Sequence, residues 1–241
     1  MLSNNEIKWI RSLREKKYRD LHGCFAVEGE KLVSEALASG WEILGVWRRE
    51  EIGGKAMERI SALSSPSPVL AVVRKPAPLP AAVPDTGLCL ALDGIHDPGN
   101  LGTILRCADW FGVRMVYASP DSVDLYNPKV VQATMGAIFR IAFRYTDIPA
   151  LCHAFTAADG AVYGTFLDGG NIYHKALYTG EDRPVLVITG SEADGISPDV
   201  EAAVSDRLYL PPYPPDDPGS ESLNAADATA LTLAEFRRRA L

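Results

Sequence analysis

Apolar residues recur along this chain with two different periods, and the places where the period changes mark its elements. Ile7, Ile10, Leu13 and Arg14 fall at helical spacing, so residues 4–19 predict one amphipathic helix with a basic face. Phe25-Ala26-Val27 predicts a short strand, Glu30 to Ser39 a helix closed by Gly40, and Ile43 to Trp47 a second strand. A helix near Lys55 to Leu63 and a strand at Val69 to Val73 complete a small alternating α/β unit. The pattern then breaks. Lys75 to Thr86 contains Pro76, Pro78, Pro80 and Pro84, and a segment lacking so many amide donors cannot enter a sheet or a helix interior. Residues 76–86 therefore predict a semi-rigid linker between a first domain, residues 1–75, and a second, residues 87–241.

Beyond the linker, apolar runs of four to six residues alternate with helical patterns, as an α/β fold with a mostly parallel sheet covered by helices requires. Strands are predicted at Leu88 to Leu92, Met115 to Ala118, Ala161 to Thr165, Val185 to Thr189 and Arg207 to Leu210. Helices are predicted at Leu101 to Phe111, Ile148 to Ala157, Pro198 to Val204 and Leu223 to Arg239.

With 47% hydrophobic and 23% charged residues over 241 positions, the chain is neither disordered nor collagen-like. No apolar run approaches the roughly 18 residues of a membrane span, and Met1 to Glu6 has no basic and apolar leader, so a cytoplasmic protein is expected. Cys24, Cys89, Cys107 and Cys152 form no CxxC pair and sit among apolar neighbours, which predicts small buried hydrophobes rather than zinc ligands or disulfides. His22, His96, His153 and His174 show no ligand spacing, and no metal is expected. The net charge of −7 divides unevenly. Residues 1–80 hold 13 Lys and Arg against 10 Asp and Glu, whereas residues 81–241 hold 11 against 21. The first 19 residues are the most basic stretch, carrying Lys8, Arg11, Arg14, Lys16, Lys17 and Arg19. Such a run either binds phosphates or is a solvated helix face.

In an open parallel sheet, ligands bind beyond the carboxyl ends of the strands, so the segments that follow predicted strands carry the candidate chemistry. Leu92 to Arg106 has turn glycines at 94, 99 and 102, Asn100 where a helix N-cap would stand, and Arg106 six residues further on. Val187 to Ser197 runs from a buried strand into a glycine turn that presents Glu192 at the sheet edge, with Gly195 permitting close approach. Leu210 to Asn224 holds five prolines before Ser222-Leu223-Asn224 opens the last helix. GxGxxG, GxxxxGK[ST] and GxSxG are absent, which argues against a nicotinamide dehydrogenase, a P-loop nucleotidase and a serine hydrolase.

Taken in order, Asn100-x-Gly102-x-x-x-Arg106, Gly190-x-Glu192-x-x-Gly195 and Ser222-Leu223-Asn224 resemble the three motifs of the SpoU/TrmH family of RNA ribose 2′-O-methyltransferases, within the SPOUT superfamily. Phe25-x-Val27-Glu28-Gly29-x-Lys31-Leu32-Val33 resembles the small ribosomal-protein-like RNA-binding domain that often precedes that catalytic domain. The resemblance implies a C-terminal trefoil knot, a homodimer with active sites at its interface, S-adenosylmethionine as methyl donor, and rRNA or tRNA as substrate. By position, Gly190, Leu210 and Leu223 match the family's cofactor contacts, with Ile188 and Ser222 as additions. Arg106 matches the arginine that acts on the ribose hydroxyl, either as a base or as an electrostatic anchor for phosphate and oxyanion. Asn100, Glu192 and Asn224 complete the implied catalytic set, and Lys16, Lys17 and Arg19 the implied RNA contacts. The third loop departs from the family pattern, with Pro211-Pro212 and added prolines and aspartates, and Ala225-Ala226-Asp227 follows Asn224. A non-catalytic RNA-binding protein on the same scaffold and a small-molecule α/β enzyme are the competing readings.

Overall fold

Ser3 opens the first helix, α1 (Asn4–Ser12), with a reciprocal capping box. Its hydroxyl accepts from the Glu6 amide while the Glu6 carboxylate accepts from the Ser3 amide. Helix α1 stops at the buried Leu13, and Glu15 adopts an extended conformation before α2 (Lys16–His22). The single helix expected over residues 4–19 is thus two helices, because the break lets Arg19 turn inward. The structure is a computed structural model that describes residues 2–79, 82–113, 115–214 and 221–241. Linker positions 80 and 81 and the loop residues 215–220 lie outside the described residues.

The chain continues through β1 (Cys24–Glu28), α3 (Glu30–Ala38), β2 (Ile43–Arg48), α4 (Arg49–Ile52), α5 (Gly54–Ile60) and β3 (Val69–Arg74). Strand β3 pairs antiparallel with both β1 and β2, and Val69 to Val73 are all buried, as a central strand demands. Ile7, Ile10 and Leu13 pack with Met57, Ile60, Leu70 and Val72 to form this unit's core.

The second half contributes β4 (Gly87–Asp93), α6 (Pro98–Trp110), β5 (Met115–Ala118), α7 (Pro128–Thr134), β6 (Ala142–Tyr145), α8 (Ile148–Ala157), β7 (Ala161–Asn171), β8 (Pro184–Gly190), α9 (Pro198–Glu201), β9 (Asp206–Tyr209) and α10 (Ala225–Ala240). Six strands in the order β6-β5-β4-β8-β7-β9 form a wholly parallel sheet. Every residue of β8 is buried, which explains the uninterrupted apolar run there. Cys89, Tyr117, Phe155, Leu186 and Ile188 anchor one core cluster. Burial pushes the Cys89 thiol up to about 12 and that of Cys152 to about 11, as expected of cysteines acting as hydrophobes.

Chain contacts divide the molecule into one unit of residues 1–78 with 124–140, and another of residues 79–123 with 141–241. Contiguous sequence ranges did not anticipate that α7, which leaves the chain between β5 and β6, belongs to the first unit. There Phe25 meets Tyr126 and Phe139, with ring centroids 4.7 and 6.5 Å apart. Among the described residues, no helix is long and apolar enough to cross a membrane.

Candidate active site

In the sheet, β4 leads away through β5 and β6, while β8 sits against its other side. The strand order therefore reverses between β4 and β8, and the loops after these two strands open over one edge. Their last residues, Asp93 and Gly190, are in register. The Asp93 carboxylate, nearly buried, accepts from the Ser197 amide at 2.7 Å and so pins the end of the second loop to the start of the first. Sequence reasoning passed over Asp93. A carboxylate closing an otherwise apolar strand was the available signal.

The first loop is held from below by the segment after β5. The amides of Gly94 and Ile95 donate to the hydroxyls of Ser119 and Ser122 at 2.8 and 3.2 Å, and the two hydroxyls are 3.0 Å apart. Gly94 has φ +67°, a conformation glycine adopts without strain. Helix α6 begins at Pro98 with Asp97 as its cap, whose carboxylate accepts from the Asn100 amide at 2.8 Å. Asn100 is therefore not the N-cap that its sequence position suggested. Asp97 takes that duty, since a capping acceptor lies two or three residues before the amide it serves, and the Asn100 side chain is left free to reach sideways.

It reaches two other loops. Asn100 Nδ2 donates to Glu192 Oε1, and Asn100 Oδ1 accepts from Asn224 Nδ2 at 3.0 Å. Because the carboxylate only accepts, it fixes which end of the Asn100 amide faces Glu192 and so which end faces Asn224. Asn224 is itself the cap of α10, its Oδ1 accepting from the Ala226 amide at 2.8 Å. The last helix therefore begins at Ala225 and not at Leu223 as expected. Three of the four implied catalytic residues form one hydrogen-bonded chain. The fourth, Arg106, stands on the exposed face of α6, and among the described residues its guanidinium has neither ion pair nor hydrogen bond. One turn further along the same face is Trp110, 85% exposed, which sequence reasoning did not single out.

Gly190 ends β8 beneath its own loop. A Cβ there would overlap the Gly195 carbonyl and the Ile196 nitrogen, so only glycine lets the loop fold back this closely. Ser191 and Gly195 exchange backbone hydrogen bonds at 3.0 and 3.1 Å, and the tight loop between them projects Glu192. Leu210 follows β9 and is half-buried; Ser222 and Leu223 are exposed. With β7 lying between β8 and β9, Gly190 and Leu210 stand at the ends of strands two places apart in the sheet. The Ile188 side chain lies in the core, so this residue offers only backbone, and its carbonyl already accepts the Thr165 hydroxyl at 3.2 Å.

The three implied RNA contacts differ in kind. Arg19 is 3% exposed, and its guanidinium donates to Asp124 at 2.5 Å and to the carbonyls of Leu13 and Arg14 at 2.9 and 2.7 Å. Four of its five N–H donors are taken inside the first unit, and at this burial it is withdrawn as an RNA contact. Lys16 pairs with Asp20 at 2.6 Å on the surface, and Lys17 is exposed beside the Tyr18 ring. Lys8 and Arg11 on α1 are also exposed.

Comparison with known proteins decides the family. Residues 87–234 match the model of the SpoU rRNA Methylase family, and residues 4–72 that of the MRM3-like substrate binding domain. The chain belongs to the SpoU rRNA methylase family. Among relatives in this family, the 23S rRNA (guanosine(2553)-2′-O)-methyltransferase RlmP of Bacillus subtilis is 28% identical, the match covering 97% of this chain and 96% of that one. A TrmH-family protein from Porphyromonas gingivalis is 40% identical with a TM-score of 0.89 over 99% of both chains. An AdoMet-bound rRNA methyltransferase from Sinorhizobium meliloti is 29% identical with a TM-score of 0.86, covering 100% of this chain and 97% of that one. Among the described residues no cluster of His, Cys, Asp or Glu could hold a metal ion. The switch point itself brings together side-chain amides and carboxylates, with a guanidinium on the same helix.

Proposed function

We propose that the protein transfers the methyl group of S-adenosylmethionine to a ribose 2′-hydroxyl of rRNA or tRNA. The observation that carries this reading is the Asn100–Glu192–Asn224 chain, which ties three loops together at the carboxyl edge of the parallel sheet, with Asn100 on the helix that also presents Arg106, unpaired among the described residues. The residues present suit the cofactor. A nucleoside needs neutral backbone donors and acceptors with apolar cover, and Gly190, Leu210, Ser222 and Leu223 offer both at strand and loop ends, with Ile188 contributing backbone alone. When bound, S-adenosylmethionine supplies an electrophilic methyl on sulfur.

The chain's own residues must then manage the hydroxyl. A ribose hydroxyl is a weak nucleophile at neutral pH, so its proton must be removed or its developing charge countered. The planar guanidinium fork of Arg106 can grip an RNA phosphate and the reacting oxygen together, while the proton of the hydroxyl passes to water. Asn100 orients the ribose edge, Glu192 holds Asn100, and Asn224 fixes the start of α10 against both. Residues 1–75 serve as the RNA-binding domain and residues 87–241 as the catalytic domain, and the protein works in the cytoplasm. The last helix completes a trefoil knot. A second copy covers the α6 face, where Trp110 and Arg106 would otherwise stay in water, and makes the protein a homodimer.

Two measurements test this. Calorimetry should detect S-adenosylmethionine binding, and mapping of 2′-O-methylation in RNA from a deletion strain should reveal one missing ribose methyl. An unchanged methylation map with no detectable cofactor binding would favour a non-catalytic RNA-binding protein on this scaffold.

A further inference from the structure

Helix α2 turns two rows of side chains toward the surface of the first unit. Lys17 and Leu21 form one row, Tyr18 and His22 the other, and each pair is one helical turn apart and so adjacent. Leu21 is 69% exposed, Lys17 and His22 are exposed beside it, and Tyr18 is half-buried. The Tyr18 and His22 rings lie nearly parallel, with 16° between their planes and 6.4 Å between their centroids, so a flat group laid on one is parallel to the other. The Lys17 ammonium stands 5.7 Å from the Tyr18 centroid.

The polar atoms of this face have no protein partner. Among the described residues the Lys17 ammonium has no ion pair, and neither the Tyr18 hydroxyl nor the His22 ring nitrogens have a hydrogen bond. The one acid of α2, Asp20, is already held by Lys16 and Lys75 at 2.6 and 2.7 Å. Parallel rings with a free cation and an exposed leucine alongside match a planar base joined to a phosphate. We propose that this face of α2 receives an unpaired nucleotide of the RNA substrate, its base stacked on the Tyr18 and His22 rings, its ribose against Leu21 and its phosphate at Lys17. The proposal rests on the reading of the protein as an RNA methyltransferase whose first unit binds RNA.

The choice of an unpaired strand follows from the rings. A base in a single strand can offer its face to an aromatic side chain, whereas in a duplex both faces are covered by neighbouring pairs. A duplex would engage Lys17 and leave the rings idle. An acidic protein segment would answer the charge in the same way, with no planar group for the two parallel rings to meet. Stacking accepts every base, because every base has a π-face, so this contact selects for an unpaired strand and not for a sequence.

The test uses the full-length protein and a uridine heptaribonucleotide with one central 2-aminopurine, whose fluorescence falls when the base stacks, alone or annealed to its complement. Binding of the single strand should quench the fluorescence, and binding of the duplex should add no quenching. Tyr18→Ala should remove most of the quenching and weaken single-strand binding at least about fivefold, the lower end of the loss when a stacking ring is removed, with the salt dependence unchanged. Tyr18→Phe should keep both, since the ring and not the hydroxyl stacks. His22→Ala, at an exposed position, should show a smaller loss of the same kind while the protein stays folded by circular dichroism. Lys17→Gln should do the converse, reducing the slope of log affinity against log salt by about 1 with quenching at saturation intact. No binding of the single strand, binding without quenching, or affinity and quenching unchanged in both Tyr18→Ala and His22→Ala would overturn the proposal and leave this face to a protein partner. S-adenosylmethionine calorimetry on the same samples separates the two readings. Cofactor binding by an unaltered protein that does not quench leaves the methyltransferase reading standing, and its absence from one that does quench strikes that reading instead.

Discussion

Two arginines, one in each unit of this protein, are used in opposite ways. In the first, Arg19 is buried, paired with Asp124 and bonded to two backbone carbonyls, so its charge holds the unit together. In the second, Arg106 stands exposed on α6 with neither ion pair nor hydrogen bond among the described residues. Counting basic residues pointed to the N-terminal stretch as the place where phosphate binds, yet one of its arginines is unavailable. The arginine best placed to act lies in the acidic half. Availability, set by burial and partners, decides what a cation can do, and composition does not report it.

The sharpest way to break this contrast is Arg19→Ala. Removal strands the Asp124 carboxylate and two carbonyls, so urea unfolding should show a loss of about 3–5 kcal/mol. The folded fraction should bind RNA normally. A loss under about 1 kcal/mol accompanied by weakened RNA affinity would make Arg19 a surface contact and erase the contrast.

Arg106→Ala should do the reverse, lowering turnover at least about 100-fold, or roughly 2.7 kcal/mol in the barrier, with stability unchanged and cofactor binding intact. Arg106→Lys should rescue little, because an ammonium lacks the planar fork. Near-normal turnover with only a raised RNA requirement would make Arg106 a phosphate anchor alone.

Glu235 supplies the second unit's own locked case. Arg238, and then Arg239, hold its carboxyl down to about 2 against the burial that opposes them. Arg239 also donates to the carbonyls of Ile172 and Lys175, so the cluster ties α10 to the segment after β7. A carboxyl lowered on folding contributes stability above its unfolded pKa, and that stability is lost as pH falls from about 4.5 toward 2. Glu235→Gln should therefore cost about 2 kcal/mol at neutral pH, and its gap to the parent protein should narrow at about pH 3. A gap constant with pH would mean that shape, and not charge, matters there.

The smallest effect belongs to Lys16 and Lys17. Reversing both to Glu should weaken RNA binding severalfold and reduce the slope of log affinity against log salt by about 2. An unchanged slope would move the phosphate contacts elsewhere, with Lys8 and Arg11 the next residues to test.

Most strands were legible because buried strands are written as apolar runs, and Met115–Ala118 falls where the sequence placed it. Residues 119–147 show neither periodicity clearly enough to predict an element. They contain β6, a half-buried four-residue edge strand with little alternation, and α7, whose apolar face packs within the first unit, against β1, and not on the sheet beside it in sequence. Strand β7 runs to Asn171, past the predicted Thr165, through a register shift that a turn-like Asp168-Gly169-Gly170 conceals. At the site, residue types and order were readable, and Asn100, Glu192 and Asn224 do meet. Their division of labour was not. That Asp97 caps α6 and Asn100 bridges loops depends on which acceptor lies three residues back, and the roles of Asp93, Ser119 and Ser122 depend on strand adjacency that no linear pattern displays. The five-proline loop announced an irregular segment, and residues 215–220 of it lie outside the described residues.

The bond from Asn100 to Glu192 spans 92 residues of chain, and that from Asn224 to Asn100 spans 124. Such a site cannot exist in any fragment of the second unit, nor in a nascent chain until its last helix has docked. Contacts this distant in sequence form late, because the loop-closure entropy must be met before they stabilise anything. During refolding, helical signal should return first and catalytic competence last, which makes enzymatic activity a clock for the final step of assembly.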